Sequence, residues 1–352
     1  MISLISFLIV IGICVISHEG GHFLAARFRG VLVHEFSFGM GPELWHRKAG
    51  ETQYSFRAFP IGGYVKLEGE DADDESEQSE PHHCDTSRSL VNKKPWERIL
   101  IMGAGAAVNI ALAWLLTAFY LSGHGAYDMS APQLGNIMDN TPAYTAGLKS
   151  GDVIKSIDGK PLGRWGDIQK TLRSESKVGD KFDIVISRDG KEQKLSINIP
   201  YSEEAGGRLL GVQPPYKKYP IIQALGASFS YSWNMSITIL RSLWLTVTGR
   251  MEADVTGPVG IAVMAGDAFT AGFWAFIGFL GIINLNLGLL NLLPFPALDG
   301  GRIVFVLIEM VTRRKVPEKV ETVIHYGGFI VLIALIALVT GKDIFRLFFS
   351  NL

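Results

Sequence analysis

The sequence predicts a polytopic α-helical membrane protein of about four transmembrane helices, with a membrane-associated β-hairpin element and one small α+β domain outside the cytosol. Three observations carry this. Of 352 residues, 48% are hydrophobic and only 19% charged, a balance displaced toward the membrane class. The apolar residues are clustered: 1–17, 99–123 and 268–298 carry no charge, and 322–341 holds only His325. Each of the last three reaches the ~20 residues that a helix needs to cross a ~30 Å hydrocarbon core. Residues 124–206, by contrast, mix short apolar runs with turn residues, as a soluble domain does.

Three to five spans are the working range. A net charge of −1 gives no reason to invoke nucleic acid. Local charge is more informative. Ten basic residues (Arg27, Arg29, Arg47, Lys48, Arg57, Lys66, Arg88, Lys93, Lys94, Arg98) separate the first two apolar stretches, and five more lie between Arg302 and Lys319. The positive-inside rule makes both loops cytosolic.

The first element, 1–30, reads as a retained helix over roughly 2–29 with its N-terminus outside. A cleaved signal peptide would carry basic residues before its apolar run, whereas Arg27 and Arg29 follow it. Residues 31–67 read as a small antiparallel β-element, because 53–59 alternates Tyr54, Phe56 and Ala58 against Gln53, Ser55 and Arg57, with Ala49-Gly50-Glu51 as a turn. From Glu68 to Glu80, eight of thirteen residues are acidic, so 68–95 is a solvated cytosolic linker. His82-His83-Cys84 reads as part of it, since adjacent residues rarely face one ion. Cys14 in an apolar stretch and Cys84 in a reducing compartment do not suit a disulfide.

A second span covers 96–123. Within 124–206, a helix is expected at 166–173 and a hairpin around Asp189-Gly190; the pattern resembles a PDZ domain of the bacterial protease type. Residues 207–256 form an extracytoplasmic or interfacial segment. Its uncharged part, 221–240, is long enough to span but carries Ser228, Ser230, Ser232, Asn234, Ser236 and Thr238. A third span region covers 257–302, a cytosolic loop 303–321, and a fourth span with the C-terminus 322–352.

The chemistry concentrates in His18-Glu19-Gly20-Gly21-His22. On a helix, histidines at i and i+4 share one face and reach one zinc ion, with the intervening glutamate beside it as general base. Ionisable groups at the end of an apolar helix are functional candidates by default. A hydrolytic zinc needs a third protein ligand and an open position. Asp299 suits that role, because Pro294 and Pro296 break the preceding helix and let a carboxylate turn inward; the alternative is a plain helix-end aspartate before Gly300-Gly301. Topology tests the pairing. With four spans, Asp299 and the histidines meet on the cytosolic side, whereas a fifth span at 221–240 would separate them across the bilayer. Four spans are therefore preferred, with 221–248 outside the core or along the interface.

The His18–His22 motif, Phe38-Gly39-Met40-Gly41-Pro42, Pro60-Ile61-Gly62-Gly63-Tyr64, the single PDZ-like domain and the run from Asn291 through Leu298-Asp299-Gly300-Gly301 together resemble the site-2 proteases, in their bacterial regulator-of-sigma-E branch. The resemblance covers nearly the whole chain. It implies intramembrane zinc proteolysis of single-pass membrane proteins, for example an anti-sigma factor, in a bacterial inner membrane with the PDZ-like domain periplasmic. It further implies that 33–67 holds substrate extended and that Asn286, Asn291, Pro294 and Pro296 shape the substrate site. Better-known members have two tandem PDZ domains where this chain has one, and their usual Gly-Pro is Gly105-Ala106 here. The rival readings are a non-proteolytic scaffold that binds peptides through its PDZ-like domain, against which Glu19 argues, and a transporter, which would show repeated halves. No pattern bears on oligomeric state.

Overall fold

A continuous apolar face all round, rather than a stripe, marks a helix that will be enclosed by other helices or by lipid. Among the described residues, four helices are long and apolar enough to cross a membrane: Ile2–Phe28, Pro95–Gly123, Phe273–Asn291 and Lys319–Arg346. The computed structural model describes residues 1–69, 86–174, 180–203, 207–251 and 255–349. Most of the acidic run and His82-His83-Cys84 lie outside the described residues. The chain divides into two compact units, Leu121–Pro220 and the remainder.

In the larger unit, α1 (Ile2–Phe28) is followed by β1 (Val33–Ala49) and β2 (Thr52–Leu67), which pair antiparallel. The register shows more than a simple hairpin. Residues 35–38 have partners on both sides, 53–56 and 63–66, while 45–49 pairs with 52–56. Segment 63–66 therefore forms one outer edge. Glu35 ties the ribbons together by accepting hydrogen bonds from Ser55 Oγ, Arg57 Nη2 (2.8 Å) and Tyr64 Oη (2.7 Å). Burial pushes the Glu35 carboxyl up, but these donors outweigh it and hold its pKa below the usual value.

Next, α2 (Pro95–Gly123) begins with proline, whose missing N–H costs nothing in the first turn. Glu97 reaches back to the Lys94 N–H at 3.1 Å, half of a capping box. After the smaller unit come α5 (Ile221–Val247), α6 (Pro258–Thr270), α7 (Phe273–Asn291), α8 (Asp299–Thr312) and α9 (Glu318–Phe349). The apolar stretch 268–298 is thus not one helix: it breaks at Gly272 (φ 111°) and again after Asn291. Ala224, Ser228 and Ser232 form the buried side of α5, whose Leu225 carbonyl accepts the Trp114 indole N–H at 2.9 Å.

The smaller unit holds β3 (Ala126–Tyr127), α3 (Pro142–Thr145), β4 (Val153–Ile157), β5 (Lys160–Pro161), α4 (Trp165–Ser174), β6 (Lys181–Arg188), β7 (Lys191–Asn198), β8 (Tyr201–Ser202), β9 (Gly207–Arg208) and β10 (Tyr216–Lys217). Its main sheet has the order β5-β4-β6-β7. Phe182, Ile184 and Ile186 alternate inward along β6 and are fully buried with Ile154, Ile157, Ile168 and Leu172. The β6–β7 turn uses Asp189 and Gly190, both at positive φ, which matches the twist of the paired strands. The unit also extends past 206. Leu210 joins its core, Val212 bridges Ile137, and β10 pairs with β3.

Candidate metal centre

The spacing of four in α1 puts His18 and His22 on successive turns of one face with Glu19 beside His18, and the loop after α7 brings Asp299 to the same place. His18 Nε2 and His22 Nε2 are 3.3 Å apart. Asp299 Oδ2 lies 3.2 Å from the first and 3.4 Å from the second. Three lone-pair donors at these separations trace the edges of a tetrahedron whose centre is about 2.0 Å from each, the bond length of zinc to nitrogen or oxygen. Asp299 Oδ2 is buried and has no hydrogen-bond partner among the described residues. The donor set thus fits a zinc ion, and His18, His22 and Asp299 form the metal-competent group found among the described residues.

A backbone contact fixes His22. His22 Nδ1 lies 2.8 Å from the Ile101 carbonyl oxygen; since a carbonyl only accepts, Nδ1 carries the proton and Nε2 presents its lone pair. The α1–α2 crossing is backbone against backbone. A Cβ at Gly21 would lie 2.5 Å from the Ala104 carbonyl oxygen, and one at Gly105 would lie 2.3 Å from His22 Nε2 and 2.9 Å from His18 Cε1. At the residue just before His18, Ser17 Oγ donates to Asn109 Oδ1 at 2.5 Å.

Asp299 opens α8, where a carboxylate suits the positive end of the helix dipole. The next two positions can only be glycine. Side chains there would meet the Leu293 carbonyl oxygen at 2.1 Å and the Phe295 carbonyl oxygen at 2.4 Å. Glu19 faces the β-element, and a Cβ at Gly63, on the outer edge segment, would lie 3.1 Å from Glu19 Cγ.

Of the residues named from the sequence, the structure gathers His18, His22 and Asp299, with Glu19 next in the chain. Asn286, Asn291, Pro294 and Pro296 lie outside that cluster, on α7 and in the loop that leads to Asp299. Asn286 spends its amide on the Ile282 carbonyl of its own helix at 3.1 Å. Gly105 and the Ile101 carbonyl were not expected. The run of small residues from Gly103 to Ala107 signals that a helix backbone approaches α2 here, but not which of them it meets.

A family model described as peptidase family M50 matches residues 6–335. A relative from Clostridium acetobutylicum is 36% identical over 339 residues, covering 96% of each chain. Zinc metalloprotease RasP of Geobacillus kaustophilus is 30% identical and covers 98% of each chain. Regulator of sigma-W protease RasP of Bacillus subtilis is 28% identical, covering 98% of this chain and 99% of its own. Among solved structures, the PDZ domain of an SdrC-like protein from Listeria monocytogenes is 23% identical, covers 25% of this chain and 90% of its own, and has a TM-score of 0.21.

Proposed function

Because this chain belongs to peptidase family M50, the site-2 proteases, we propose that His18, His22 and Asp299 hold its zinc ion while Glu19 is the general base of an intramembrane metalloprotease. The observation that carries this assignment is the near-tetrahedral spacing of the three donor atoms. When bound, the ion supplies Lewis acidity, which activates a water and polarises a carbonyl. Asp299 contributes the negative charge that offsets the cation in an apolar setting. Glu19 takes the proton of the attacking water and delivers it to the leaving amine. Ile101 keeps His22 in the tautomer that can coordinate.

We read the substrates as single-pass membrane proteins, such as an anti-sigma factor. A helical substrate hides its carbonyls in hydrogen bonds four residues apart, so cleavage requires unwinding. The segment 63–66, paired with 35–38 on one side, offers its outer edge beside Glu19, where an extended segment replaces its lost bonds by β-addition. Asn286, Asn291, Pro294 and Pro296 shape the site on this reading. The unit Leu121–Pro220 acts as a PDZ-like, periplasmic filter, and the chain sits in a bacterial inner membrane with its site toward the cytosol.

Mass spectrometry of membranes tests the substrate class. Single-pass fragments should accumulate in cells that carry Glu19→Gln and not in cells with the intact enzyme. Accumulation of soluble proteins alone would contradict it.

A further inference from the structure

The loop between α7 and α8 must hold Asp299 still, yet it contains a conformation that alanine resists. Ala297 has φ 74°, in the left-handed region where a Cβ crowds the following carbonyl oxygen. Something outside the loop has to stabilise it. The Ala297 N–H donates to His325 Nδ1 at 3.0 Å. His325 belongs to α9, and its ring centroid lies 5.4 Å from that of Phe305 on α8, so the side chain is wedged between the loop and the helix that Asp299 opens. Because the Ala297 N–H can only donate, Nδ1 is the accepting nitrogen and the proton sits on Nε2, which lies 4.0 Å from Glu321 one turn earlier. One turn of α9 onward, helix and loop touch directly: a Cβ at Gly328 would lie 2.3 Å from Pro296 Cβ and 2.7 Å from the Pro296 carbonyl oxygen. The neighbouring Gly327 has nothing within 4 Å.

We propose that His325 is a positioning residue: its acceptor on the Ala297 N–H, together with the bare backbone of Gly328 under Pro296, clamps 296–297 so that Asp299 meets His18 and His22. The proposal rests on reading Asp299 as a metal ligand. The fourth long helix thereby becomes a backing plate for the site as well as a membrane anchor. Partners of this kind, one step behind the ligands, typically change metal affinity or activity about 10- to 100-fold when removed.

The test uses the full-length protein in detergent, with zinc retained against a chelator series and the visible spectrum of the cobalt-loaded protein as readouts. His325→Leu should release zinc about 10- to 100-fold more readily and alter the cobalt spectrum. His325→Asn keeps an acceptor near Nδ1 and should recover most of the loss. Adding Ala297→Gly to His325→Leu should also recover it, because glycine adopts the left-handed conformation unaided. Gly328→Ala should resemble His325→Leu, and Gly327→Ala should match the parent. Should His325→Leu fail to fold, the two glycine variants carry the same test. Parent-like zinc retention in both His325→Leu and Gly328→Ala would overturn the proposal. Zinc retained by the His18→Ala/His22→Ala double variant would instead overturn the ligand assignment beneath it.

Discussion

A methyl group at Gly105 would press on both histidine rings, at a crossing where the backbones of Gly21 and Ala104 are already closely packed. Gly105→Ala should therefore displace the rings and cost most of the bound zinc, although alanine favours helix by about 1 kcal/mol over glycine. Gly103→Ala is the matched control, since its Cβ would meet Ile303 only at an ordinary 3.7 Å. Metal analysis of the two purified variants checks this; equal zinc in both would contradict the packing account. The site's side chains were legible in sequence because a helix imposes fixed spacing on His18, Glu19 and His22. Asp299 was reachable through its prolines and the parity of the spans. Gly105, the Ile101 carbonyl and His325 were not, because a missing side chain, a main-chain atom and a contact across 28 positions leave no periodic trace.

Elements add a second layer. Asp152 in the smaller unit is almost fully buried and accepts from Arg188 Nε and Nη2, both at 2.7 Å, and from the Lys149 N–H at 2.8 Å. Burial pushes its carboxyl up, but these donors outweigh it and hold the pKa below its ordinary 3.8. A depressed carboxylate stabilises the fold above its unfolded pKa and loses that contribution as pH falls through the folded value. Asp152→Asn should therefore speed hydrogen exchange in β6 and β7 at pH 7, and the difference from the parent should begin to narrow below about pH 4 and close as pH falls through the lower folded value. A gap that persists unchanged at low pH would refute the role of the charge. Boundaries were the harder reading at this scale. The stretch 268–298 shows no charge, so nothing but Gly272 marked the break between α6 and α7. The smaller unit runs to Pro220, past the 206 that the sequence suggests, because Leu210 and Val212 form too short a run to announce that they join its core.

Across the whole molecule, the account requires α5 to stay on one side of the bilayer. That helix is not among the four of the described residues that are long and apolar enough to cross, and its serines Ser228 and Ser232 are buried in the protein while Phe229, Trp233 and Trp244 are exposed. Ser202→Cys and Thr256→Cys should both react with an impermeant reagent from outside the cell. Reaction from opposite sides would make α5 a span and leave the histidines and Asp299 across the membrane from each other, which their 3.2–3.4 Å separations forbid.

The central claim is hydrolysis at this metal centre by Glu19, and its most direct measurement is turnover of a single-pass substrate by the purified chain in liposomes. The amide of Glu19→Gln keeps the shape of the carboxylate but cannot take the proton of the attacking water. Cleavage should fall by ~10²–10⁴-fold, with zinc content and substrate binding retained. Turnover near that of the parent would contradict the account.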